Sequence, residues 1–222
     1  MTFRFGQRAL RWGTQGIPVL AVHGWQGHPD QFRAIACALV GQGYQVFALN
    51  GPGHGGDLNG PVHPGLIAEY IEDVVAELGG VQAVIGHSMG GGTAMMAMAA
   101  GVPVRQAVII SAPYSFSSVA LRTAERLGLS GRAKARFMAR MEKRAGYSFQ
   151  SLNGDHLLPE VDVPVLVVHD EGDRQVSFLD AERIAQRVPI GTLYATQGFG
   201  HGRILQSDEV VVRIVEFLCH GR

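Results

Sequence analysis

Short, nearly continuous apolar runs alternate along this chain with longer stretches in which apolar residues recur every three or four positions. The runs are rich in valine, isoleucine and leucine, a pattern typical of strands buried on both faces of a parallel sheet. The predicted strands cover residues 17–22, 44–49, 81–85, 104–110, 163–169 and, more weakly, 192–196, with one or two short edge strands within 2–12.

Helical periodicity fills the intervals between these strands. The predicted helices cover residues 29–40, 64–78, a segment after residue 90, 117–127, 132–145 and 204–218. This alternation predicts an α/β fold with a mostly parallel, doubly wound sheet, right-handed crossovers and helices on both faces. Ligands bind such sheets at the carboxyl ends of the strands.

The length of 222 residues fits a single domain spanning 1–222. The predicted strands stop between residues 114 and 161, and we interpret this interval as a small helical cap insertion. The cap contains four acidic residues and eight basic ones, which are Arg122, Arg126, Arg132, Lys134, Arg136, Arg140, Lys143 and Arg144. This charge is explained either by a solvated helical face or by attraction of an anionic substrate or acyl carrier.

Overall charge gives no reason to expect a nucleic-acid or membrane partner, because 19 basic and 19 acidic residues balance to a formal net charge of zero. The N-terminal residues do not resemble a signal peptide, and no apolar stretch has the length and character of a membrane span, so we expect a cytoplasmic protein. Cys37 and Cys219 lie in apolar helical patterns and are expected to be buried thiols, without a disulfide or metal site.

Residues 86–90 read Gly-His-Ser-Met-Gly and lie between a predicted strand and a predicted helix. This G-x-S-x-G arrangement is typical of a nucleophile elbow, in which a sharp turn exposes the serine hydroxyl. Gly86 and Gly90 would remove side chains that collide with the neighbouring strand or helix. The competing interpretation is a tight turn in which Ser88 only caps the helix.

Two further polar clusters follow predicted strands, one containing Asp173 and the other His201. A serine hydroxyl needs a base, and an imidazole needs a carboxylate that fixes its tautomer. We therefore assign His201 as the base and Asp173 as its partner, with Asp170 and Glu171 as competing acids. Taken singly, Asp173 is also explained as a helix-capping loop residue, and His201 as a surface histidine.

An oxyanion hole requires two N–H donors aimed at the developing charge. The Met89 amide, at the start of the helix after the elbow, is one candidate. The Trp25 amide, in the loop after strand 17–22, is the other, since Gly24 lets the backbone approach. Among the remaining histidines, we expect His23 to support its loop, while His87 lies beside the serine because the elbow places it there and His169 has no assigned role.

Together these segments resemble the α/β-hydrolase superfamily, close to small bacterial serine esterases. The resemblance covers nearly the whole chain and rests on HGW at 23–25, GPGHG at 51–55, GHSMGG at 86–91, HDEGDRQV at 169–176 and GFGHGRIL at 198–205. It implies the triad Ser88, Asp173 and His201, in the superfamily's chain order, with oxyanion donors Trp25 and Met89. Asn50 departs from the aspartate that many relatives carry there.

The expected activity is cleavage of a small-molecule carboxylic ester through an acyl-enzyme on Ser88, with no metal or organic cofactor. A serine nucleophile argues against the dehalogenases and the cysteine-dependent lactone hydrolases of this superfamily. A thioesterase or acyltransferase, and a ligand-binding or signalling protein that retains the triad, remain as alternatives. By the same resemblance, the cap is expected to cover the carboxyl edge of the sheet and shape the pocket.

Overall fold

The computed structural model of this protein describes residues 1–4, 6–51, 63–145, 147–149 and 152–220, without the side chains of 144 and 145. In this part of the chain, one sheet contains seven strands. The strands are β1 (Arg8–Trp12), β2 (Ile17–Val22), β3 (Tyr44–Asn50), β4 (Val81–His87), β5 (Val104–Ile110), β6 (Val165–Asp170) and β7 (Gly191–Thr196). The spatial order is β1-β3-β2-β4-β5-β6-β7. All neighbours are parallel except β1, which pairs antiparallel with β3 at the edge.

Helices cover both faces of this sheet. They are α1 (Arg33–Val40), α2 (Pro64–Glu77), α3 (Met89–Ala99), α4 (Phe116–Arg126), α5 (Gly131–Ala145), α6 (Gly154–Leu157), α7 (Phe178–Arg187), α8 (Gly200–Arg203) and α9 (Asp208–His220). Apolar residues of α1 and α9 pack on one face, and those of α2, α3 and α7 on the other. Consecutive β4 residues lie on opposite faces of the sheet. Val84 packs with α2, α3 and α7, whereas Ile85 packs with α1 and α9. The predicted α/β fold with a mostly parallel, doubly wound sheet is therefore confirmed.

The strand order reverses between β2 and β4. The chain passes from β2 to β3 on one side and then returns to place β4 on the other side of β2. A crevice forms at such a switch point, outside the carboxyl ends of the strands. The segments that leave β2 and β4 here begin at His23 and Ser88.

Two predicted helices are interrupted. The segment predicted as 29–40 begins with a 3₁₀ turn over Pro29–Phe32 before α1. The segment predicted as 204–218 contains a 3₁₀ turn over Ile204–Gln206, and α9 starts only at Asp208 because Ser207 has extended backbone angles. His201 accordingly lies within the one-turn helix α8, not in a loop.

The interval 114–161 contains α4, α5, α6 and a 3₁₀ turn over Leu158–Glu160. Its buried apolar residues pack on α3, where Phe116, Phe149 and Leu152 form a small core with Met96. Met138 of α5 and Met89 pack against the same core, so this interval adjoins the residue that follows Ser88.

The expectation of buried thiols is wrong for Cys37, which is exposed, and Cys219 is half-buried. Cys37 lies on α1 opposite the face formed by Ile35, Ala36 and Leu39, all of which are buried. Within the described ranges, no helix combines the length and apolar character needed to cross a bilayer.

Candidate active site

Ser88 occupies the turn between β4 and α3 with φ 54° and ψ −123°. A non-glycine residue at positive φ is uncommon and costs on the order of 1–3 kcal/mol. Its N–H donates to the Ile110 carbonyl of β5 at 2.9 Å, and its carbonyl accepts from the Gly91 and Gly92 amides at 3.0 and 3.2 Å. These hydrogen bonds hold the strained turn between the sheet and the first turn of α3.

Glycines allow backbone to pack directly against backbone around this turn. A Cβ on Gly86 would lie 2.5 Å from the Gly91 Cα, and one on Gly90 would overlap the Val22 carbonyl oxygen of β2. A Cβ on Gly24 would lie 2.7 Å from the Ser88 Cβ. The loop after β2 therefore touches the serine at the switch point of the sheet.

Asp173 and His201 are joined by a hydrogen bond of 2.7 Å between Asp173 Oδ2 and His201 Nδ1. The Asp173 side chain has 0% exposure, while its Oδ1 accepts from the Gln175 and Val176 amides at 2.7 and 3.1 Å. Burial alone would raise the pKa of Asp173, but hydrogen bonds from His169, His201 and the two amides outweigh it and hold the pKa far below its ordinary value. The carboxylate is therefore ionised and can only accept, which places a proton on His201 Nδ1 and, in the neutral ring, leaves Nε2 able to accept one.

Asp170, the first competing acid, has a different role. It is fully buried at the end of β6, where Oδ2 accepts from the Thr196 hydroxyl at 3.0 Å and the Phe199 amide at 2.9 Å, and Oδ1 from the Gly172 amide at 3.0 Å. These bonds, with one from the Gly200 amide, overcome burial and lower the pKa of Asp170. Asp170 thus ties the loop that carries Asp173 to the loop that leads into His201.

Glu171, the other competing acid, is exposed. Its Oε2 accepts from Gln197 Nε2 at 2.9 Å. The bonds of both competitors therefore serve the loops, whereas Asp173 accepts the hydrogen bond that the His201 ring donates.

His87 links the elbow to the His201 segment. Its Nε2 donates to the His201 carbonyl at 2.8 Å, and its Nδ1 accepts from Gln31 Nε2 at 3.1 Å. The His87 and His201 ring centroids are 4.8 Å apart, so Ser88 directly follows a residue in contact with His201. Burial lowers the pKa of His87 from 6.5 to about 4, outweighing the bond to the carbonyl, and the ring is neutral at pH 7.

His23 supports the loop between β2 and the 3₁₀ turn, as expected. The Gly51 amide donates to its Nε2 at 3.2 Å, so Nδ1 carries the proton and donates to the Gly24 carbonyl at 2.8 Å. Gly51 is the one described residue of the GPGHG segment, since 52–55 lie outside the described residues.

The two residues whose amides are predicted oxyanion donors, Met89 and Trp25, lie on different segments of the chain. Met89 is the first residue of α3, where an N–H has no acceptor within its own helix. Trp25 follows Gly24 in the loop that touches Ser88, and its side chain is 59% exposed. A groove of about 530 Å³ elsewhere, between Tyr194 and residues 208–216, has none of these residues in its lining.

Two histidines with contacts at this site were not predicted to have a role. The bond from His87 to His201 joins positions 114 residues apart, so local sequence gives no signal for it. His169 lies 3.4 Å, Nε2 to Oδ2, from Asp173. The sequence does contain a signal for His169, which is a polar residue at the carboxyl end of a buried apolar strand, four positions before the predicted acid Asp173.

Residues 16–158 match the model of the Hydrolase_4 family, described as serine aminopeptidase, S33. The chain belongs to this family of α/β hydrolases. It is 27% identical to the bifunctional esterase/perhydrolase DCH of Acinetobacter calcoaceticus over 258 residues, covering 90% of this chain and 91% of that protein. This similarity and the family match identify the protein as an α/β-hydrolase enzyme.

Solved structures show the same fold in other hydrolases. The Paleococcus ferrophilus monoacylglycerol lipase gives a TM-score of 0.77 at 21% identity, covering 97% of this chain and 99% of that one. The Exiguobacterium antarcticum esterase EaEST gives 0.75 at 18% identity, covering 99% and 100%. At these identities the likeness concerns the fold alone.

Replacing Gly90 with alanine tests the backbone contact between α3 and β2. The added methyl group would overlap the Val22 carbonyl, so we expect Gly90→Ala to lower the unfolding free energy by about 1–3 kcal/mol. Gly202→Ala is the control, because a Cβ there has nothing within 4 Å and φ is not in the left-handed range. Equal stability of the two variants in urea titrations would contradict the contact.

The pKa of His87 predicts a pH dependence of stability. Between pH 6.5 and about 4 the unfolded chain binds a proton on His87 that the folded chain does not, so the unfolding free energy falls as pH falls, by about 3 kcal/mol in all. His87→Gln keeps an amide that can donate to the His201 carbonyl and accept from Gln31, but cannot titrate. Denaturation at stepped pH should give a shallower slope for this variant, and identical slopes would refute the assignment.

Proposed function

We propose that this protein is a serine hydrolase that cleaves carboxylic esters through an acyl-enzyme on Ser88, with His201 as base and Asp173 as its orienting acid. The observation that carries the proposal is the 2.7 Å bond between His201 Nδ1 and the buried Asp173 carboxylate, beside a serine held at positive φ. The similarity to an esterase/perhydrolase over nearly the whole chain supports an ester substrate.

The reaction begins when Ser88 Oγ attacks the ester carbonyl carbon and His201 Nε2 takes the hydroxyl proton. Asp173 stabilises the resulting imidazolium, while the Met89 and Trp25 amides bind the oxyanion. Collapse of the intermediate expels the alcohol, which receives the proton from His201. Water then attacks the acyl-enzyme with the same base, and the carboxylic acid leaves.

We propose that the substrate enters beside the cap formed by α4 and α5. The cap core includes Met89, the residue next to the nucleophile. Four cap side chains, Arg132, Arg136, Arg140 and Lys143, are exposed on α5 at spacings of four, four and three, which places them on one helix face. In contrast, Lys134 pairs with Glu125 at 2.8 Å and Arg122 approaches Asp180 at 3.9 Å. We name Arg132, Arg136, Arg140 and Lys143 the α5 basic stripe and propose that this stripe attracts anionic esters.

Ser88→Ala should abolish labelling by a fluorophosphonate probe and reduce p-nitrophenyl ester hydrolysis by about 10³-fold or more, because the nucleophile is lost. Ser130→Ala, at an exposed position between α4 and α5, is the control and should label like the parent protein. Circular dichroism should show that both variants keep the fold. Undiminished labelling of Ser88→Ala would identify a different nucleophile and end the proposal.

The substrate class is tested by comparing p-nitrophenyl esters of increasing acyl length with acyl thioesters and amino-acid p-nitroanilides. We expect the largest kcat/KM on an ester, since the supporting relative is named as an esterase. Faster turnover of a thioester would favour a thioesterase, and faster turnover of an anilide would favour a peptidase. The chain-length series also measures the depth of the acyl pocket.

The α5 basic stripe is tested by salt. Because exposed charges are screened, kcat/KM for p-nitrophenyl hemisuccinate should fall relative to neutral p-nitrophenyl butyrate as ionic strength rises from about 0.01 to about 1 M. A variant with all four stripe residues changed to glutamine should lose this difference. Equal salt dependence for the two esters in the parent protein would refute the role of the stripe.

A further inference from the structure

We infer that His169 is a positioning residue for the reaction proposed above, sharing the Asp173 carboxylate with His201 and thereby setting the basicity of the His201 ring. The inference rests on the proposed function for its kinetic consequences. Its structural consequences rest on the hydrogen-bond geometry around Asp173.

His169 lies wholly inside the protein, with 0% exposure, one residue before the end of β6. Its Nε2 is 3.2 Å from the Val176 carbonyl oxygen and 3.4 Å from Asp173 Oδ2. Both neighbours can only accept, since Asp173 is ionised, so Nε2 carries a proton directed between them. The ring is also held edge-on to Phe178, with centroids 6.0 Å apart and planes at 86°.

Among the described residues, the other ring nitrogen of His169 takes no part in hydrogen bonding. Its Nδ1 is buried and has no hydrogen-bond partner in the described part of the chain. A proton there would leave an N–H unpaired inside the core, which is unfavourable. His169 therefore acts as a hydrogen-bond donor through Nε2 alone.

The two oxygens of the Asp173 carboxylate accept hydrogen bonds from different donors. Oδ1 accepts from two backbone amides, while Oδ2 faces both His201 Nδ1 at 2.7 Å and His169 Nε2 at 3.4 Å. A donor on Oδ2 withdraws part of the negative charge that would otherwise stabilise the imidazolium of His201. Removing that donor should make the His201 ring hold its proton more strongly.

Other charged groups face this cluster and must be separated from the effect. His87 of β4 contacts His201 and is neutral at pH 7, and Asp170 ends the strand that carries His169. His169 contributes to the electrostatic environment of Asp180 of α7, which is itself approached by Arg122 of α4. Burial raises the pKa of Asp180, partly countered by Arg122, so Asp180 is the group whose titration requires its own control.

Two variants of matched size test the inference, His169→Met without a donor and His169→Gln with one. We expect His169→Met to move the acidic midpoint of the kcat/KM profile on a p-nitrophenyl ester upward by about 0.5–1 pH unit, an approximately three- to tenfold loss on the acidic side. KM should stay unchanged, because His169 does not touch substrate. His169→Gln should restore the midpoint, and Asp180→Asn should leave it at the parent value.

A second measurement does not depend on turnover. The proton between His201 Nδ1 and Asp173 should give a low-field ¹H resonance, which His169→Met should shift and His169→Gln should return toward the parent position. If the parent protein hydrolyses no ester but this pattern holds, the proposed function fails and the coupling stands. An unchanged resonance and midpoint in His169→Met, equal shifts in both His169 variants, or a midpoint that moves with Asp180→Asn would overturn the inference.

Discussion

Direct packing of backbone on backbone at the elbow governs the geometry of the candidate site. Gly24, Gly86 and Gly90 allow β2, β4 and α3 to approach within distances that a Cβ would prevent. The strained turn at Ser88 persists because β4 is buried along its whole length and the amides of Ser88, Gly91 and Gly92 are paired. Rigid strands on both sides therefore fix where the hydroxyl lies.

Around this turn, buried carboxylates lie among buried histidine rings. Asp170 and Asp173 are held ionised by donors from both of their loops. The buried histidines His23, His87 and His169 each donate one N–H to a backbone carbonyl oxygen, which fixes the orientation of each ring. Among these rings and His201, His201 makes the shortest contact with the Asp173 carboxylate, at 2.7 Å.

Much of this arrangement could be predicted from the sequence, because its signals are local. The strand periodicity gave the sheet, and the spacing of Gly86, Ser88 and Gly90 gave the elbow. Sequence leaves Asp170 as a competitor of Asp173, since both follow one strand and only folded geometry distinguishes a residue that holds the loops from a partner of His201. The break at Ser207 was missed because apolar residues continue in helical register across it.

The contacts of the buried histidines could not be predicted, since periodicity describes which face a residue occupies and not which distant carbonyl it meets. His87 and His201 are brought together only by the crossing of the chain over the switch point. The charge of the cap was evident, but the division between paired residues such as Lys134 and the α5 basic stripe required coordinates. Long-range polar pairing is therefore what the structure adds to the sequence.

The hydrogen bonds that Asp170 accepts also bear on transplanting the Asp173–His201 pair to another scaffold. A four-residue helix such as α8 has little stability of its own, so His201 takes its position from the four donors that Asp170 gathers across two loops. Segments 170–176 and 196–203 thus behave as one cassette. A graft that moved the aspartate–histidine pair without Thr196 and Asp170 would carry the reactive groups but leave behind the brace that aligns them.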